Sequence, residues 1–132
     1  MAVVVDASVM VEVLLRTPTG RSAALRLRGE PAAAPDILDA EVAQAVRRAG
    51  RRGLLDDRQV TEALDVLLDA PVQRVPSRLL VRRTRTWWPN ATVHDALYLG
   101  VAAAQGARVL TCDGPLSRAP ALGVPVENVR VT

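Results

Sequence analysis

Apolar positions along the chain fall into two alternating rhythms, one of short continuous runs and one of helical spacing. Residues 2–6 (AVVVD) are a β-branched run that reads as a buried strand ending at Asp6, and ASVMVEVLL (7–15) reads as a helix. Thr19-Gly20 introduces a second short helix, RSAALRLR (21–28), and AAA after Pro31 reads as a short strand. Pro35-Asp36 opens a third helix, ILDAEVAQAVRRAG (37–50), stopped by Gly50 and Gly53, and Asp56 begins a fourth, DDRQVTEALDVLLDA (56–70). VQRV (72–75) is a predicted strand, SRLLVRRTRTWW (77–88) a predicted helix closed by Pro89, and residues 92–105 a helix capped by Gly106. RVLTC (108–112) is a strand, GPLSRA (114–119) a short helix with Pro115 near its first turn, and PVENVRV (125–131) a final strand.

Helices thus alternate with short, Val-rich strands that are apolar on both faces. This pattern predicts an α/β fold with a central parallel sheet flanked by helices on both faces. At 132 residues the chain is expected to form a single domain, 1–132, with a core that needs neither disulfides nor a structural metal. In such sheets ligands bind at the carboxyl ends of strands. Asp6 and Asp113 both stand at such ends.

Composition narrows the chemistry. The longest small or apolar helical run is nine residues, ALYLGVAAA, against the roughly twenty that span a bilayer. Asp6 interrupts the N-terminal apolar stretch too early for a secretory signal, so a cytoplasmic location is expected. A single cysteine, Cys112, and a single histidine, His94, exclude Cys-rich and His-clustered zinc sites, which leaves oxygen as the ligand of any metal. All seventeen basic residues are arginine. The absence of lysine excludes a P-loop lysine, a Schiff-base lysine and the lysine of a phosphate-accepting receiver domain.

Acidic residues interrupt this apolar chain at informative places. Asp95 opens ALYLGVAAA and Asp113 closes ARVLTC, and neither has a cation within one helical turn. A carboxylate near a buried face is costly unless paired, hydrogen-bonded or metal-bound. Each acid has a local reading as well. Thr92-x-x-Asp95 matches a capping box, Asp113 suits a turn before Gly114-Pro115, and Asp6 suits a helix cap. Their convergence on one rim is less expected from capping alone. In the third helix, Leu38, Val42, Ala45, Val46 and Ala49 form the apolar stripe, with Glu41 on one margin and Asp39 on the other; periodicity does not choose between them.

The stretches VVVDASVMVEVLL, PDILDAEVAQAVRR and HDALYLGVAAAQGARVLTCDGPL resemble, in order and spacing, those of PIN-domain proteins, specifically VapC-type ribonuclease toxins. The resemblance covers nearly the whole length. It implies a PIN-like fold and four catalytic acids: Asp6 in Asp6-Ala7-Ser8, Glu41 three residues after Leu38, Asp95 at the start of an Asp-Ala helix, and Asp113 in Thr111-x-Asp113. Asp6, Asp95 and Asp113 would be metal ligands, with Ser8 and Thr111 orienting them. Crowded carboxylates have raised pKa values unless a hard cation takes their charge, and oxygen ligation selects Mg²⁺, with Mn²⁺ able to substitute. The resemblance further implies a substrate RNA of the tRNA or rRNA class, a cognate VapB-type antitoxin and a homodimer.

Setting the four acids aside leaves seventeen arginines against ten acids, a surplus of seven over the remaining surface. Arg47 and Arg48, with Arg82, Arg83, Arg85 and Trp87, are the candidate RNA-binding residues, since arginine meets phosphates and indole stacks on unpaired bases. A solvated helix face and a half-buried Trp87-Trp88 pair explain the same residues equally well. ASVMVEVLL, SAALRLR and EALDVLL are more apolar than one sheet face requires, and suit either core or a partner surface. A non-catalytic PIN-like RNA-binding or regulatory module is the alternative function.

Overall fold

The computed structural model describes residues 2–118 and 123–131. Strands β1 (Val3–Val5), β2 (Ala32–Pro35), β3 (Val72–Val75), β4 (Arg108–Thr111) and β5 (Val126–Asn128) form one sheet. Every pairing in it is parallel, in the order β3-β2-β1-β4-β5. Helices α1 (Ala7–Leu14), α2 (Pro18–Leu27), α3 (Leu38–Arg51), α4 (Asp57–Asp69), α5 (Val93–Gln105) and α6 (Gly114–Arg118) connect and flank the strands. No helix among the described residues is long and apolar enough to cross a membrane.

The VVV run makes the central strand because nothing in it needs water: all three valines are fully buried. They join Leu38, Val42, Val46, Leu67, Leu99 and Leu110 in one continuous core. From β1 the sheet grows outward through β2 and β3, then reverses and grows the other way through β4 and β5. The reversal falls between β1 and β4, which pair from Val3↔Arg108 to Val5↔Leu110. Such a switch point opens a crevice at the carboxyl ends of its two strands.

Local chemistry shifts several predicted boundaries. Helix α2 starts at Pro18, capped by Thr17, whose hydroxyl accepts the Gly20 N–H at 3.0 Å, rather than at Thr19-Gly20. Proline suits the first helical position, so the helix starts three residues before the predicted Arg21. Gly50 lies inside α3, and the left-handed turn comes at Gly53. Residues 77–88 are not one α-helix but two 3₁₀ segments, Ser77–Leu79 and Arg82–Trp87. Buried Thr84 explains the second, because its hydroxyl donates back to the Val81 carbonyl at 2.7 Å and its N–H is shared by Leu80 and Val81. The last strand is confined to β5, and Ala119, at the end of the predicted GPLSRA helix, lies outside the described residues.

Helices α1 and α2 approach so closely that a Cβ on Gly20 would overlap the Glu12 carbonyl. The apolar excess of the early helices is therefore largely core, although Leu25, Val66 and Leu68 remain exposed.

Candidate active site

Four elements deliver the four acids to one cleft. Asp6 follows β1, Asp113 follows β4, Glu41 lies in the first turn of α3 and Asp95 in the first turn of α5. All four line a single cavity of about 870 Å³, with Ser8, Arg48, His94 and Arg130 also in its wall. The structure also separates Glu41 from Asp39. Asp39 turns to the opposite margin and takes two bonds from Arg74, at 2.9 and 3.3 Å.

Asp6 is the deepest acid, 6% exposed, and two hydroxyls fix its carboxylate. Ser8 Oγ donates to Asp6 Oδ2 at 2.6 Å and Thr111 Oγ1 donates to the same oxygen at 2.8 Å. Each hydroxyl is itself oriented by a backbone donor: Cys112 N–H reaches Ser8 Oγ at 2.9 Å, and Asp113 N–H reaches Thr111 Oγ1 at 2.8 Å. Two amide-to-hydroxyl-to-carboxylate relays thus point the Asp6 oxygen, each bond polarising the next. Burial raises the Asp6 carboxyl above its ordinary range, the two hydroxyls pull it back, and the charge of Asp113 raises it further.

Asp95 stands both in the cleft wall and in the first turn of a capped helix. Thr92 caps α5, its hydroxyl accepting the Asp95 N–H at 3.1 Å, so the first half of a capping box is present. The Asp95 carboxyl is pushed up to about 6, first by burial, then by the charges of Asp6 and Asp113, with the Thr92 hydroxyl opposing.

Glu41 is held from α5. Tyr98 OH donates to its Oε1 at 2.7 Å, and His94 Nδ1 stands 3.4 Å from its Oε2. Burial and the Glu41 charge raise the Tyr98 phenol far above its ordinary value, which keeps it a proton donor. Neither Tyr98 nor His94 was among the predicted site residues. The available signal was their i, i+4 spacing on the helix that carries Asp95. Arg130 was missed as well. It lies past β5, donates to the Cys112 carbonyl at 3.2 Å and faces Glu12 at 3.9 Å.

The predicted basic residues divide. Arg48 lines the acidic cleft, whereas Arg47 and Arg83 are exposed outside it. Arg82 and Arg85 line a separate pocket with Arg78 and Trp88. Trp87 is half-buried against the core, and Trp88 is the exposed indole.

Among the described residues no three acid, histidine or cysteine side chains already converge on a cation position. The donor set nonetheless suits a hard divalent ion. Its acids offer oxygen ligands, and after burial the charge of Asp113 raises the carboxyls of both Asp6 and Asp95.

A family model described as the PIN domain matches residues 3–122. Ribonuclease VapC12 of Mycobacterium tuberculosis is 36% identical over 127 residues, covering 96% of this chain and 98% of that protein. Among solved structures, VapBC2 from Rickettsia felis, bound to a DNA fragment from its promoter, superposes with a TM-score of 0.68 at 18% identity, over 97% of this chain and 98% of the other. Mycobacterium tuberculosis VapC20, described as a sarcin-ricin loop cleaving toxin, gives 0.63 at 17% identity, over 89% and 95%.

Proposed function

Since the chain belongs to the PIN-domain family, we propose that it is a metal-dependent endoribonuclease that hydrolyses RNA phosphodiester bonds as the toxin of a toxin–antitoxin pair. The observation that carries this reading is the meeting of Asp6, Glu41, Asp95 and Asp113 in one cleft at the switch point of the sheet. Asp6, Asp95 and Asp113 would hold Mg²⁺, or Mn²⁺ in its place. When bound, the ion offsets their charge and supplies Lewis-acid activation for phosphodiester hydrolysis.

The chain's own residues do the rest. The paired relays through Ser8 and Thr111 present the Asp6 oxygen in a fixed direction, so that no reorganisation is needed during reaction. Tyr98 and His94 hold the Glu41 carboxylate against the cleft wall. Arg48 and Arg130 bring positive charge to the wall of the same cleft, where it can meet the phosphates of a polyanion. An RNA of the tRNA or rRNA class, read at an exposed single-stranded loop, would be the substrate. A VapB-type antitoxin would silence the cleft, and the protein would act in the cytoplasm as a homodimer.

Incubating purified protein with total RNA and Mg²⁺ tests the reading. A few discrete cuts, abolished by EDTA and restored by Mn²⁺, are expected. Unchanged cuts in EDTA would overturn the metal requirement, and no cuts in any metal would overturn the activity.

A further inference from the structure

A second basic surface lies outside the acidic cleft. Arg78, Val81, Arg82, Arg85 and Trp88 line a pocket of about 390 Å³, and none of the five lines the cleft. Among the described residues, none of its three arginines forms an ion pair with a carboxylate. Clustered guanidinium groups without acids repel one another, and their planar forks suit phosphate oxygens.

The indole beside them is held in place. Trp88 is 42% exposed, yet its ring N–H donates to Thr84 Oγ1 at 3.1 Å, and the Arg85 guanidinium lies 5.9 Å from the ring centroid. Thr84 is fully buried and is seated against α5. A Cβ on Gly100 would stand 3.2 Å from its methyl group and 3.7 Å from Leu80. Gly100 lies about 7.5 Å along the helix from Asp95 at 1.5 Å per residue, so the helix that Thr84 packs against also carries an acid of the cleft. Phosphate recognition alone has no use for a fixed, exposed indole. An unpaired base does, because every base offers a face for stacking.

We propose that this pocket is an RNA subsite outside the cleft, taking one unpaired nucleotide with its base on Trp88 and its flanking phosphates on Arg78 and Arg82. The proposal rests on the reading that RNA is the substrate. Among the predicted RNA-binding residues it replaces Trp87 with Trp88 and adds Arg78.

Binding of a fluorescein-labelled single-stranded oligoribonucleotide, measured in EDTA so that no cutting intervenes, tests it. The Arg78→Gln/Arg82→Gln protein should bind roughly tenfold more weakly, with a log–log salt slope shallower by about 1.4, two phosphates at ~0.7 each. Trp88→Leu should lose roughly tenfold by itself. Because the two arginines are exposed, the double variant tests the pocket even if Trp88→Leu misfolds. Parental affinity and slope in the double variant would overturn the subsite, as would duplex RNA competing as well as single strand. Cleavage by the parent protein in Mg²⁺ is read separately. Weakened variant binding without parental cleavage keeps the subsite and removes the nuclease, and normal cleavage with unchanged variant binding does the reverse.

Discussion

The hydroxyl of Tyr98, buried to 1% exposure in the core, reaches the Glu41 carboxylate at 2.7 Å across the gap between α5 and α3. It is a hydrogen bond to a charged group, in a class worth about 1.5–3 kcal/mol. Tyr98→Phe keeps the ring and removes the donor. Urea unfolding should show a loss of about 2 kcal/mol, and single-turnover RNA cleavage should slow in parallel. Stability that falls while cleavage stays at the parental rate would make the bond purely structural.

Asp39 and Glu41 stand two residues apart and should respond oppositely. Asp39→Asn weakens the pair with Arg74, which also donates to the Leu67 and Ala70 carbonyls at the end of α4 and to the Val72 carbonyl in β3. Removing one charge from a half-buried pair should cost about 1–3 kcal/mol and leave cleavage intact. Glu41→Gln should do the converse, abolishing cleavage with a smaller change in the urea midpoint.

Asp95 links pH to stability. Its carboxyl rises from an ordinary 3.8 to about 6 on folding, so the metal-free native state holds a proton there that the unfolded chain has released. That contribution is complete below about pH 4 and disappears as pH rises through about 6. Asp95→Asn cannot lose it. Melting curves in EDTA should therefore bring the two proteins together near pH 4, with the Asn variant matching or exceeding the parent at pH 7. Mg²⁺ should raise the parent's melting temperature and scarcely move the variant's, while cleavage collapses. A variant that melts lower in EDTA at pH 7 and cuts at the parental rate would reduce Asp95 to a helix cap.

Gly20→Ala places a methyl group on the Glu12 carbonyl, a backbone atom that cannot swing aside. The helices α1 and α2 must separate, and overpacking of this kind costs about 3 kcal/mol. Thermal unfolding should detect it directly. A melting temperature within a degree or two of the parent would show that this helix pair yields easily.

Much of this was legible because it depended on local pattern. The VVV run declared a buried strand, Asp56 a helix start that forms a complete capping box with Gln59, and Gly106 a helix stop, which is left-handed. Glu41 was placed by family resemblance where periodicity left it level with Asp39; the deciding contacts, Tyr98 and Arg74, lie 57 and 35 residues away in sequence. Distance along the chain also hid Arg130, whose partner carbonyl is 18 residues away. The failure at 77–88 had another origin. Its apolar spacing suits a helix, yet Thr84 spends its hydroxyl on the backbone and winds the segment more tightly.

The order of the sheet also sets a timetable. Of the five strands of the sheet, β1 is made first and sits at the centre, and its partner β4 is made fourth. At roughly 5–20 residues per second, Asp113 leaves the ribosome about 5–20 s after Asp6. During that interval β1 has an unfilled edge, and both relays to Asp6 lack Thr111 and Cys112. Contacts this distant in sequence also close slowly. A growing chain that has not yet reached β4 therefore cannot assemble the relays that orient Asp6.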